Sequence, residues 1–364
     1  MSDPFSPGLL HRLPELPHKV TVLRASRIGD WLCATPALRA LRRALPQAEI
    51  SLVTLPMLHD LARRSPHIDR VFDFPGYPGI AEQLFDARRA AKFFQEIQSG
   101  NIDLAIQMQG SGVFSNPFAL MLGARYTAGF VRPGDPPGLL DAALVLPNHG
   151  HEVQRLLSLT TFLGAQADGE QTEFPLWPED HSAADRLLSE APPPWFGLHP
   201  AARDLTRRWS IERFAEVGKV LQKRYGATLV LLGEAQEKDN AAQLEREIRG
   251  RVLNLVGRTS LPVLGAVIQR LSLLLTNDSG PAHIAYALGA PTLTVFGGGD
   301  PQRYGALPAG PFRMLVHEVP CRPCTYHECP IGYVCLEHVS VAQALEAAGE
   351  LLEAPTAEGR PHRS

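Results

Sequence analysis

From Lys19 onward the chain alternates short apolar runs with amphipathic helical patterns, and it does so in two successive series. This order constrains the fold more than any other feature, because strands separated by helical crossovers pair in parallel and close right-handed. In the first series, residues 20–24, 50–54, 71–74 and 102–107 read as strands. Between the first two, residues 36–45 place Leu38, Leu41 and Leu45 at the three- and four-residue spacing of one buried helix face. Residues 133–147 are dense in Pro and Gly and read as an irregular loop, after which 151–163 resumes a helical pattern. Three prolines, Pro192, Pro193 and Pro194, then precede Trp195-Phe196-Gly197-Leu198-His199, the first strand of the second series. Strands follow at 228–232, 252–255, 271–276 and 292–296, with helices at 211–225, 235–248, 262–270 and 281–288, and a last helix at 341–352. A chain of 364 residues exceeds what one core usually organises. The expectation is two Rossmann-like, doubly wound α/β domains, residues 1–190 and 191–364, with the boundary at the proline break.

The balance of 35 basic and 38 acidic side chains supplies no whole-chain field for gathering nucleic acid, which is not an expected partner. Residues 1–18 contain four prolines and no signal-like apolar run, and no stretch reaches the roughly 18 apolar residues of a membrane helix. The expected location is the cytoplasm. Four of the five cysteines crowd together as Cys321-x2-Cys324-x4-Cys329-x5-Cys335. The first pair has zinc-ligand spacing and the second half is looser, so a structural zinc or iron, reduced thiols and disulfides all stay open.

Three segments carry chemistry. The first, Arg24-Ala25-Ser26-Arg27-Ile28-Gly29-Asp30, leaves the first strand and enters a helix, at the sheet edge where such folds bind ligands. Asp30 there reads either as a helix cap or as a functional carboxylate, and with Gly29 the only glycine the segment is not a dinucleotide fingerprint. The second, Asn277-Asp278-Ser279-Gly280-Pro281-Ala282-His283, sets a polar turn and a proline at a helix start, which aims free backbone amides at one point and suits a diphosphate. An ordinary cap, with His283 a core histidine, is the structural alternative. Gly297-Gly298-Gly299 follows the next strand and lets a nucleotide approach the backbone. The third segment, from His199-Pro200 to Arg208-Trp209, holds Arg203, Arg207 and Arg208, whose guanidinium groups suit phosphate oxygens; a solvated charge run is the alternative.

In order and spacing these segments, with Thr35-Pro36-Ala37-Leu38 and Phe296-Gly297, resemble glycosyltransferase family 9, the group that includes the lipopolysaccharide heptosyltransferases. The resemblance covers most of the chain. It implies a GT-B fold, two Rossmann-like domains facing across a cleft, the first holding the acceptor and the second the sugar nucleotide. It implies that Asp30 is the general base of an inverting transfer, with Ser26 and Gly29 beside it in substrate binding. Asp278, Ser279, Gly280 and His283 match the motif that holds the donor's sugar and diphosphate, and Arg203, Arg207 and Arg208 would meet the charge of the leaving group. The implied donor is ADP-heptose. The implied acceptor is the lipopolysaccharide core at the inner membrane face, to which the enzyme would be peripheral. No cofactor is required for catalysis, since arginines and a helix start can stabilise the leaving diphosphate and the chain shows no Asp-x-Asp pair.

Two departures stand out. Arg207 occupies a position where heptosyltransferases commonly have Lys, and Gly233-Glu234-Ala235-Gln236-Glu237 follows the family's acidic nucleotide-contacting segment only loosely. Another nucleotide-sugar donor, a protein or glycan acceptor, and a non-catalytic sugar-nucleotide binder are the competing readings.

Overall fold

The computed structural model describes residues 3–307 and 310–353. It divides into two compact units, Met1–Pro175 and Leu176–Ser364. No helix among the described residues is long and apolar enough to cross a membrane.

The first unit is built on strands β1 (Lys19–Leu23), β2 (Glu49–Thr54), β3 (Arg70–Asp73), β4 (Leu104–Gln107), β5 (Tyr126–Val131) and β6 (Ala142–Val145). They pair in parallel in the order β3-β2-β1-β4-β5-β6. Val22 lies opposite Leu52 on one side and Ile106 on the other. Helices cover both faces, so β2 and β4 are buried along nearly their whole length and read as continuous apolar runs rather than alternating ones. Helix Thr35–Ala44 buries Leu38 and Leu41, as their spacing predicts. A second cluster forms around Phe118, whose ring meets Phe74 at 5.2 Å and Phe93 at 5.7 Å between centroids. β6 lies inside the segment expected to be an irregular loop. The Pro and Gly residues before it hide the strand, which is held from a distance, Asp141 accepting from the Thr127 amide.

The second unit repeats the plan with β7 (Trp195–His199), β8 (Thr228–Leu231), β9 (Val252–Asn254), β10 (Leu273–Asn277), β11 (Thr292–Phe296) and β12 (Phe312–Val316). Their order, β12-β11-β10-β7-β8-β9, is that of the first sheet when each is counted from its own first strand, and the pairing is again parallel. Helices Ile211–Tyr225 and Leu261–Arg270 begin at Ser210 and Ser260, whose hydroxyls accept the amides of Arg213 and Val263. Helix Pro178–Leu188 belongs to this unit: it packs on Leu261–Arg270, buries Ala184 and Leu188, and pairs Asp185 with Arg270. The division therefore falls before this helix, whereas the proline break after it had placed the boundary near residue 190.

In each unit the strand order reverses beside the first strand, between β1 and β4 in one sheet and between β7 and β10 in the other. Loops leaving the carboxyl ends of these strands form the crevice where such sheets bind ligands. Segments 24–30, 199–209 and 277–283 leave these ends.

Candidate active site

In the first unit, β1 turns into helix Ile28–Leu32, whose cap is Arg27 with no side-chain cap bond. Asp30 lies within the first helical turn, three positions after the cap residue Arg27. Its side chain is about a third exposed (35%) and meets Arg24, with Arg24 Nη2 at 3.3 Å from Oδ1. Arg24 is buried. It donates to the backbone carbonyl of Asp30 from Nε (3.1 Å) and Nη2 (2.8 Å), to that of Met108 from Nη1 (2.6 Å), and to Glu152 Oε1 (3.0 Å). Ser26, also buried, donates to Gln109 Oε1 at 2.6 Å, tying this turn to the segment after β4. Gly29 is buried inside the short helix.

In the second unit, Asn277 joins two loops. Its Oδ1 accepts from the Trp209 amide at 3.1 Å and its Nδ2 donates to the Pro200 carbonyl at 2.6 Å. His199, at the end of β7, places Nδ1 3.2 Å from Thr276 Oγ1 and 3.3 Å from Ser279 Oγ. Burial favours the neutral imidazole and pushes His199 down to about 4. Ser279 caps helix Gly280–Leu288 by backbone alone, its hydroxyl engaging the Asn277 carbonyl at 3.1 Å. Sequence reasoning missed His199 and Asn277 as positioning groups; the signal was their place at the ends of the two central strands.

Of the expected donor-site residues, Arg207 and Asp278 are in direct contact, Nη1 to Oδ2 at 3.2 Å, and Arg207 also faces Asp204 at 3.7 Å. Arg208 is turned onto its own loop, donating to the carbonyls of Ala202 (2.6 Å) and Arg203 (3.4 Å), so it braces the loop. Arg203 is exposed. His283 is nearly buried on its helix between the rings of Tyr286 and Tyr304. The three glycines after β11 have a use different from the expected one, because the chain itself crowds them. A Cβ on Gly297 would stand 2.3 Å from the Thr206 carbonyl oxygen, and one on Gly299 would stand 1.9 Å from Asp278 Oδ2. A recess at the ends of β7 and β8 is lined by Pro200, Leu232, Glu237, Asn240 and Val256. Burial there raises the Glu237 carboxyl above its ordinary range, an effect opposed by the Glu234 amide it accepts from and by the charge of Arg208.

The cysteines do not form the expected ligand set. All five are free thiols, and among the described residues no three His, Cys, Asp or Glu converge as a metal site requires. Each thiol region is held by a different partner. The Cys324 amide donates to the Gly298 carbonyl, Cys329 Sγ accepts from the Tyr333 amide at 3.2 Å, and Cys335 is buried in the core beside Leu336. Burial raises the Cys335 thiol, Arg322 opposing it and the neighbouring Cys329 and Cys321 adding to it.

Two doubly wound parallel sheets, each with its polar segments at the point where strand order reverses, define a two-unit α/β protein of the doubly wound class, in which ligands sit at such switch points. The sequence pattern of glycosyltransferase family 9 (heptosyltransferase) matches residues 90–334, and the chain belongs to that family and is a glycosyltransferase. It is 25% identical over 288 residues to lipopolysaccharide heptosyltransferase 3 of Escherichia coli, covering 75% of this chain and 80% of that one. Its fold is that of the family 9 glycosyl transferase from Veillonella parvula, with a TM-score of 0.80 at 21% identity over 92% of this chain and 97% of the other. It is also that of the Escherichia coli ADP-heptose lps heptosyltransferase II, with a TM-score of 0.74 at 21% identity over 92% and 98%. Both units thus have the Rossmann-like fold expected of a GT-B enzyme.

Proposed function

We propose that the chain is an inverting glycosyltransferase that moves a heptose from ADP-heptose to a lipopolysaccharide core acceptor, with Asp30 as general base. The observation that carries this reading is the state of Asp30: a half-buried carboxylate at the first unit's switch point, in the first turn of helix Ile28–Leu32, with its backbone carbonyl held twice by Arg24. In the reaction, Asp30 takes the proton of an acceptor hydroxyl as that oxygen attacks the anomeric carbon. The bond from that carbon to the diphosphate breaks with inversion, and the diphosphate leaves with the electron pair. Ser26 and Gly29 shape the acceptor side. On the donor side, Arg207 and the first amides of helix Gly280–Leu288 meet the growing charge. Asp278, Ser279, Gly280 and His283 hold the sugar and diphosphate, with Arg203 and Arg208 adding positive potential. No metal or cofactor is given a step, and the acceptor places the enzyme at the inner membrane face.

The names of the relatives support the donor and acceptor classes, and Arg207 in place of the common Lys is the feature by which the donor preference of this chain would differ. The test is turnover of ADP-heptose with a truncated lipopolysaccharide core, followed as ADP release, for the parent and Asp30→Ala. Loss of at least about 100-fold in rate with donor binding retained supports the reading. Binding of ADP-heptose without transfer points to another acceptor or a non-catalytic binder; no binding of any ADP-sugar refutes the donor.

A further inference from the structure

Four charges form a chain in the first unit. Asp30 Oδ1 faces Arg24 at 3.3 Å, Arg24 faces Glu152 Oε1 at 3.0 Å, and the other oxygen of Glu152 lies 3.2 Å from Arg155. The side chains of Arg24, Glu152 and Arg155 are 3%, 6% and 8% exposed, against 35% for Asp30. Burying three charges costs several kcal/mol each before their mutual attraction is counted, and apolar residues of similar volume often serve stability as well. The chain of charges ends at the one solvent-accessible carboxylate the reaction needs.

Arg24 has two tasks that conflict. Its bonds to the carbonyls of Asp30 and Met108 set the strand-to-helix turn and so aim the Asp30 side chain. A guanidinium so close to a carboxylate also competes with the acceptor hydroxyl for its lone pairs and weakens it as a base. Glu152 resolves the conflict, because the same Nη2 that faces Asp30 Oδ1 lies closer to Glu152. Arg155 in turn faces the other oxygen of Glu152 at 3.2 Å and directs the carboxylate. The neighbouring charge on the short helix, Arg27, is engaged by Glu82, and His151 accepts the Val153 amide at the start of helix Glu152–Leu163.

We infer that Glu152 is a positioning residue for the transfer, drawing Arg24 toward itself so that Arg24 aims Asp30 while its contact with Oδ1 stays the longer of the two; the inference rests on the reading of Asp30 as base. The test is a double-mutant cycle on the full-length enzyme with ADP-heptose and truncated core. Glu152→Gln keeps the shape and removes the charge; the expected result is a fall in kcat of about 10-fold or more with the KM for donor unchanged. Glu152→Asp, which keeps the charge, recovers part of the loss. In an Asp30→Ala background, Glu152→Gln costs less than about twofold, because the group it acts through is gone. An equal fall in both backgrounds, or no fall in either, overturns the inference. An Asp30→Ala enzyme that keeps full activity sinks the base assignment itself, whereas an inactive one with an unimpaired Glu152→Gln sinks only the role of Glu152. If Glu152→Gln does not fold, the same cycle run with Glu152→Asp decides by the same comparison.

Discussion

His199 couples the donor-side turn to pH. An exposed histidine titrates near 6.5, and burial at the end of β7 holds this one at about 4. Between those values the unfolded chain binds a proton that the folded chain refuses, so stability is lost as pH falls through this window and is fully present above it. The gap corresponds to about 3 kcal/mol when complete, and about 2 kcal/mol of it is lost by pH 5. His199 is the group that touches Thr276 and Ser279, and once both ring nitrogens carry protons, Nδ1 can only donate. The perturbation is His199→Gln. Urea unfolding of both proteins, followed by tryptophan fluorescence at pH 7.5 and pH 5, compares their losses; other titrating groups contribute equally and cancel. The parent should lose about 2 kcal/mol more than the variant over this interval. Equal losses would refute the reasoning, since they would mean that His199 titrates alike in the folded and unfolded chain.

Two other substitutions test the donor side. Arg207→Lys replaces a planar fork that reaches Asp204 and Asp278 with a point charge that cannot span both; ADP affinity measured by calorimetry should fall about 10-fold, and an unchanged affinity would remove Arg207 from the site. Gly299→Ala sets a methyl 1.9 Å from Asp278 Oδ2, so the buried Asp278 carboxylate and its pair with Arg207, or the loop, must shift; the expected cost is about 1–3 kcal/mol, read as a melting temperature lower by several degrees, and a shift below about 1 °C would contradict the close approach.

Much of the architecture was legible because it is written locally. Residues 20–24, 50–54 and 292–296 read as strands from apolar runs, and β1, β2 and β11 stand there within a residue or so. The spacing of Leu38 and Leu41 showed the buried face of their helix. Once parallel strands are inferred, the residues following β1, β7 and β10 must stand at a carboxyl edge, so the placement of Asp30, Arg207 and Asp278 at those edges was legible without any knowledge of contacts. Not every strand was legible: β5, β6 and β12 lie in stretches where the apolar runs are not set off by helical patterns on both sides, and their identity as strands comes from pairing with distant partners.

By itself, then, the sequence determined the β-α alternation, the two-domain plan and the loops that carry the chemistry, since each depends on residues a few positions apart. The tertiary structure alone decided which unit holds helix Pro178–Leu188, that the glycines after β11 are crowded by the chain itself, and that Arg24 meets Glu152 across 128 positions of sequence. Such contacts are set by strand order and packing, and no local period encodes which distant charge will close on which.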